Sequence, residues 1–354
     1  MSANVEQMFS VRQMPWHGEG IILDDYPGSW AEARKYAGLE WEPVEESVYR
    51  ILGTEPLEVP TYELHSMDAD GTPLYAMIGT EVVQVNKYDS TDSYKHIVRS
   101  DTGAVLSVNA KGYTLIDHES MGEIVEAVLG EVNVKWETAG CLDGGKSVWV
   151  LVMLDEPIEL PGDNSVTYPY LAITNRHDGK GSCALRATAV RIVCANTFRA
   201  AELEGERTGA TFSFRHSSKW RERIDEAREA VNGARKEMVE YRALAEELLG
   251  MPITAGQREL FVTSFIPMPP TGLVTDRVMG NVEEARTKLR KIFESPTTAG
   301  IQDTAYGLVQ ASGEYLDHVR AARSWETRLG RTIMKPEPLK AKALNLVREI
   351  VAVG

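Results

Sequence analysis

Cysteine is scarce in this chain: Cys141, Cys183 and Cys194 are the three in 354 residues, odd in number and widely spaced. A disulfide framework is therefore not expected, and buried free thiols are. Long apolar runs are missing as well, none approaching the roughly 18 residues that a membrane span needs. Residues 1–6, Met-Ser-Ala-Asn-Val-Glu, have neither the basic start nor the apolar core of a secretion signal, so the expectation is a cytoplasmic protein with no membrane partner. Positive charge is in short supply: 38 Lys and Arg against 52 Asp and Glu give a net charge of −14. That balance argues against a protein that coats nucleic acid through bulk charge. No Gly-x-Ser-x-Gly, no His-Glu-x-x-His and no paired-carboxylate signature is found, and Asp178-Gly-Lys-Gly181 lacks the glycine spacing of a P-loop. Neither a catalytic residue nor a cofactor is expected.

What the chain does hold is ordinary globular composition, 43% hydrophobic and 25% charged, with enough length to bury a sizeable core in two or three units. Charge is unevenly spread. Residues 1–100 carry seventeen Asp and Glu against seven Lys and Arg, whereas residues 176–223 carry ten Lys and Arg against five acids. A local basic strip on an acidic body follows.

The rest is organised around residues 131–198. Val132, Val134 and Trp136 alternate with Asn133, Lys135 and Glu137, the period of a half-buried strand. Asp143-Gly144-Gly145 tolerates positive φ, and residues 147–154 are a nearly continuous apolar run. Together they predict a long β-hairpin with a central second strand. A third strand is expected over 168–174, with Pro169 at its start. Residues 184–199 suit a strand by Val190, Ile192 and Val193 and a helix by their alanines, so periodicity leaves both states open.

Before this region, Ser29-Trp-Ala-Glu32 predicts a capped helix ended by Gly38. Residues 44–108 read as a meander of short strands at 46–51, 74–78, 82–85, 96–98 and 105–108, with Asp70-Gly71 and Asp101-Thr-Gly103 as turns. Residues 111–116 read as one more strand, after which Asp117 caps a helix with Met121, Ile124, Val125, Val128 and Leu129 on one face. Strand signals stop after Phe198. Ser217 or Ser218 then caps a helix whose Trp220, Ile224, Ala227, Val231, Ala234, Met238, Tyr241, Ala245 and Leu248 form a heptad seam. Such a seam needs cover, either from the same helix of a second copy or from the segment 304–329. Further helices are expected after Thr254 and over 283–294, 304–329 and 340–353. The fold class expected is α+β, a mainly antiparallel twisted sheet with a long hairpin and packed helices over 1–210, then a helical unit over 211–354.

The loop Asn175-Arg-His-Asp-Gly-Lys-Gly181 has two readings. In one, Asn175 and Asp178 build a turn that the glycines permit. In the other, Lys135, Arg176, Lys180, Arg186, Arg191 and Arg199 contact phosphates beside the hairpin, with Trp136, Trp149 or Tyr170 as stacking faces. A metal site from His177, Asp178, Cys183 and Cys194 is not expected, because no pair has ligand spacing. A nucleotidyltransferase reading fails too, since Arg176 would have to be the nucleophile and a guanidinium stays protonated.

Asn175-Arg-His-Asp-Gly179 followed by Val190-Arg-Ile-Val-Cys-Ala-Asn-Thr197 resembles the phage/plasmid-like family of unknown function found in phage genomes and mobile elements. Arg99-Ser-Asp-Thr-Gly103, Tyr113, Ala139-Gly140, Gly144-Gly145 and a Trp16-His17-Gly18 segment fit the same pattern. That context implies the cytoplasm of a bacterial host. The element order of strand, amphipathic helix, hairpin, third strand and Arg-bearing segment also resembles the single-strand annealing recombinases of the RecT, Erf and lambda beta type. This second resemblance implies an ATP-independent homo-oligomer that binds and anneals single-stranded DNA in recombination, with Lys135, Trp136, Arg176, Lys180, Arg186, Arg191 and Arg199 at the groove. The acidic first hundred residues support a different expectation, a non-enzymatic mobile-element protein that binds a host protein.

Overall fold

Strand β7 (Ser147–Met153) is buried at every position, so it requires a paired strand on each edge and a packed layer on each face. The structure is a computed structural model that describes residues 7–12, 20–68, 70, 72–130, 134–191, 196–198, 211–270, 275–321 and 338–353. In it β6 (Trp136–Leu142) and β9 (Val166–Arg176) flank β7 antiparallel. Beyond β9 come β10 (Cys183–Arg191) and β11 (Asn196–Phe198); beyond β6 come β1 (Met8–Val11) and β2 (Ile21–Leu23), which run parallel to each other. On the outer edge of β10, β12 (Thr211–Phe214) pairs with Cys183 to Arg186 and β11 with Ala189 to Arg191. The short β8 (Ile158–Glu159) pairs with the start of β9.

Alternation sends side chains of β7, β9 and β10 to opposite faces. Val148, Val150, Val152, Leu171, Ile173 and Leu185 join the main core, while Trp149, Leu151, Met153, Tyr170 and Ala172 form a second cluster with Met8 and Leu142. Three helices pack on the first side: α1 (Trp30–Tyr36), α2 (His118–Leu129) and α3 (Ile224–Leu249). Their caps follow the sequence, with Ser29 accepting from Glu32 N and Asp117 from Ser120 N. Four further helices complete the C-terminal part: α4 (Ala255–Phe265), α5 (Asp276–Phe293), α6 (Ala305–Glu314) and α7 (Pro338–Val353). Thr254 and Gln257 close a capping box at α4. The architecture is the expected α+β one, and the larger of the two apolar clusters includes residues from Phe9 to Ile350, on both sides of residue 210. Among the described residues no helix is long and apolar enough to cross a membrane.

Several local expectations are corrected. The short strands read over 44–98 are two long ones, β3 (Pro43–Met67) and β4 (Pro73–Arg99), with β5 (Val105–Ala110) as a third. Residues that look like punctuation, Gly53 and Gly79 among them, lie next to register shifts between Ile51 and Gly53 and between Thr61 and Tyr62; bulges absorb the breaks and the ladder continues. Residues 111–116 are not a strand: the Ile116 carbonyl accepts from Asn175 Nδ2 at 2.8 Å and Thr114 N donates to the His216 carbonyl at 3.0 Å, so loop partners replace a ladder. Residues 183–191 are strand, because β9 on one edge and β12 on the other supply partners that an alanine-rich helix would forgo. Strands do not end at Phe198, since β12 follows. The helix of the seam begins at Ile224, after a 3₁₀ turn over Arg221–Arg223, and not at Ser217 or Ser218.

Because β5 pairs only with Tyr94 to Val98 of β4, β3 and β4 continue past it as a two-stranded arm. From Tyr49 to Met67 the arm extends roughly 60 Å at the usual rise per residue. Its tip is closed by Asp68, whose Oδ1 accepts from Asp70 N at 2.9 Å and Thr72 N at 2.8 Å.

The heptad seam is covered from within the chain. Ala227, Val231, Ala234, Met238, Tyr241, Ala245 and Leu248 are all buried, against α2, α6, β10 and β12, and the Tyr241 and Tyr306 hydroxyls meet at 3.4 Å. A second copy of α3 has no apolar stripe left to pair with. Met238→Ala is expected to lower the unfolding free energy by about 2–4 kcal/mol. Urea denaturation followed by circular dichroism reads it, and a loss below about 0.5 kcal/mol, typical of surface positions, would mean that the seam is open.

Candidate nucleic-acid interface

Two tight turns at one end of the large sheet bring the notable residues together. The β6–β7 turn uses Asp143, Gly144 and Gly145, all at positive φ. A Cβ on Gly145 would lie 2.5 Å from the Trp41 ring, so this glycine lets the indole pack directly on the turn. The Arg99 guanidinium also lies over that ring, 4.2 Å from its centroid, donating to the Gly144 carbonyl at 3.4 Å and to Asp101 Oδ1 and Oδ2 at 3.0 and 2.8 Å. The β9–β10 turn docks beside it through His177 N, which donates to the Lys146 carbonyl at 2.9 Å. Gly179 meets the Asn109 side chain of β5 so closely that a Cβ would sit 2.2 Å from Oδ1. Ser107 Oγ, from the same strand, donates to the His177 carbonyl at 2.6 Å. The loop thus ties the base of the arm to the sheet.

Within that tie the Asn-Arg-His-Asp run serves structure. Asn175 is fully buried and bridges Ile116 to Arg176 N. Arg176 pairs with Asp178, which holds that carboxyl below the usual range and raises the guanidinium, while Asp178 Oδ1 also accepts from Lys180 N at 3.0 Å. His177 is wholly enclosed, its ring 5.4 Å from that of His118 and 6.4 Å from Trp41. Burial and the neighbouring His118 and His216 push its pKa well down. His118 Nδ1 lies 2.9 Å from the Trp41 carbonyl, which can only accept, so Nδ1 carries the proton. Burial lowers this pKa to about 3. Neither nitrogen of His177, nor Nε2 of His118 or His216, meets a hydrogen-bond partner among the described residues. Among those residues no group of three or more His, Cys, Asp and Glu is arranged to hold a metal ion. The Cys183 thiol is buried in the core, pushed up to about 12, and is unreactive there; Cys194 lies outside the described residues.

Around the buried histidines the rim is basic. Lys146 closes the first turn and Lys180 lies in the second, Lys111 follows Ala110 at the end of β5, and Arg215 follows Phe214, the register partner of Cys183. All four are exposed. The exposed acids Asp143 and Asp101 share this end, the first acting on Arg176 and the second paired with Arg99. Lys111, Lys146 and Arg215 were not among the residues singled out from the sequence, because they are scattered over a hundred positions and only strand register gathers them.

The sequence-derived set divides. Arg176 and Lys180 belong to this turn end. Lys135 is exposed but precedes β6 at the opposite end, its carbonyl accepting from Met153 N at 3.0 Å. Arg191 ends β10 opposite Thr167, also at that far end, roughly 20 Å from Ala184 along the strand. Arg186 lies between them, half-buried, its Nη1 on Thr174 Oγ1 at 3.2 Å. Trp136 is corrected outright: it is enclosed in the core with its ring 4.9 Å from that of Trp30 and presents no face to a base. Trp149 and Tyr170 are likewise buried. Arg199, like Trp16 and His17, lies outside the described residues.

Residues 105–334 match the model of a family described as a domain of unknown function (DUF932). The match begins at the first residue of β5, so the arm lies before it. No curated protein and no solved structure matches the chain.

The enclosed histidines set a pH dependence. Each stays neutral in the folded chain but takes up a proton in the unfolded chain below its ordinary pKa of about 6.5, so stability falls as pH drops through that value. At pH 5 the loss is about 2 kcal/mol per histidine relative to pH 7. Urea unfolding at both pH values checks this: His177→Gln should reduce the drop by about that amount. Burial raises the Glu42 and Glu137 carboxyls and so acts in the opposite sense, which is why variant and parent are compared at the same pH. An unchanged drop in the variant would place His177 in contact with water.

Proposed function

The chain belongs to the DUF932 family, and from that premise we propose that it is a non-enzymatic, ATP-independent protein of a phage or plasmid that binds single-stranded DNA and anneals complementary strands in recombination. The observation that carries this reading is the exposed basic rim of Lys111, Lys146, Lys180 and Arg215, with Arg176 beside it, at one end of the sheet. Annealing needs no catalytic group. It needs cations that neutralise phosphates and leave the bases free to pair. Four cations held by two locked turns and two strand ends meet that need on an otherwise acidic chain. The order of α2, the β6–β7 hairpin, β9, β10 and α3 is compatible with the resemblance to annealing recombinases, an argument by analogy of fold.

The alternative, a protein that binds a host protein, draws on the surplus of acid in residues 1–100. The two readings part on one measurement, fluorescence anisotropy of a labelled single strand at low and moderate salt. For the intact chain, binding that weakens with salt is expected. Changing Lys111, Lys146, Lys180 and Arg215 together to Ala should weaken it at least about tenfold and flatten the salt dependence by roughly 0.7 per lost contact. Lys135→Ala should leave it unchanged. Absence of binding at low salt, or equal binding by the fourfold variant, would overturn the reading in favour of the host-protein alternative.

A further inference from the structure

The arm exposes apolar surface to a degree that a free two-stranded ribbon does not sustain in water. Register divides it into two unlike faces. On one, the cross-strand pairs Tyr62 with Met77 and Leu64 with Tyr75 lie in line with Val82, all of them 53–63% exposed. Pro56 and Pro60 share that face, and Glu58 is its single charge between Thr54 and Leu64. On the other face stand Glu55, Glu63 and Glu81, with Leu57 and Val59, 50% and 37% exposed, between them. No Lys or Arg occurs between Arg50 and Lys87. The ribbon therefore carries its largest exposed apolar side chains on one side and three of its four glutamates in this stretch on the other.

We propose that the apolar face of the arm is an interface with the same face of a second copy of this chain. Three observations select that occupant. First, five large side chains at roughly 100 Å² each, with the two prolines, supply about 600 Å² per copy, on the order of 1,200 Å² for a two-fold pair, which reaches the lower bound of a stable interface. Second, the face is self-complementary: identical, nearly uncharged surfaces pack by a two-fold axis without charge conflict. With the axis through Tyr62 and Met77, the two Glu58 carboxylates lie roughly 25 Å apart at opposite ends, and the other carboxylates point outward. A basic partner would instead be drawn to the acidic face. Third, Pro56 and Pro60 remove two N–H donors from β3, which disfavours strand addition along that edge of the arm.

This interface replaces the one expected of the α3 seam, and it does not depend on nucleic acid. Sedimentation velocity of the full chain from 1 to 100 µM, without DNA, tests it. A dimer or larger multiple is expected for the parent and for a control with Leu57→Lys and Val59→Lys on the acidic face. A monomer is expected for Tyr62→Lys with Met77→Lys. Because all four positions are partly or fully exposed, unfolding midpoints should stay within a few degrees of the parent, and a variant that unfolds early is replaced by Tyr62→Ser with Met77→Ser, read the same way. A monomeric parent at 100 µM, an apolar-face variant that still assembles, or a control that dissociates equally would each overturn the proposal. Loss of DNA binding with assembly intact bears on the basic rim alone.

Discussion

A strand that is buried on both faces and paired on both edges leaves a chain few choices, and β7 imposes that constraint here. Its two edges recruit β6 and β9, and its two faces require two separate apolar layers, one shared with α1, α2 and α3 and one built on Trp149, Leu151 and Met153. The turns at the end of β7 inherit this rigidity. Because β6–β7 and β9–β10 both turn at the same end, their loops meet there, and the loop backbone bond from His177 to Lys146 is a direct result of register. The basic rim is a by-product of the same arithmetic: cations far apart in sequence become neighbours because adjacent antiparallel strands end together.

Legibility in the sequence followed the strength of local patterning. The β6–β7 hairpin, the Asp143-Gly-Gly turn, the caps at Ser29, Asp117 and Thr254, and the heptad seam were all readable, since each rests on residues within a few positions of one another. The arm was not readable as one unit, because glycines that usually mark turns are absorbed beside bulges. The state of 183–191 depended on partners far along the chain. Which cations share a surface is a matter of strand register, and register is set by long-range pairing that one sequence does not display. The partner of the seam was ambiguous for the same reason: a heptad says that burial is required and not by what.

The loop 175–181 shows how a conspicuous motif can be conspicuous for packing. An asparagine bridging two backbone groups, an arginine paired within its own turn and an imidazole enclosed beside another imidazole are specific requirements, and each is met locally. They hold the arm to the sheet. The exposed cations of this end lie outside that packing, on residues whose spacing in the sequence carries no signature.

The larger apolar cluster, from Phe9 to Ile350, also has a temporal side. During synthesis the sheet-forming residues leave the ribosome well before α3, which covers their apolar face, and before α6, which covers α3. Until those helices emerge, α1 and α2 alone cover that side of the sheet, and the nascent chain carries a partly uncovered sheet face together with an apolar arm. Contacts this distant along the chain make folding slow and late rather than domain by domain. Its sheet face and arm are the surfaces most open to association until the C-terminal helices have been made.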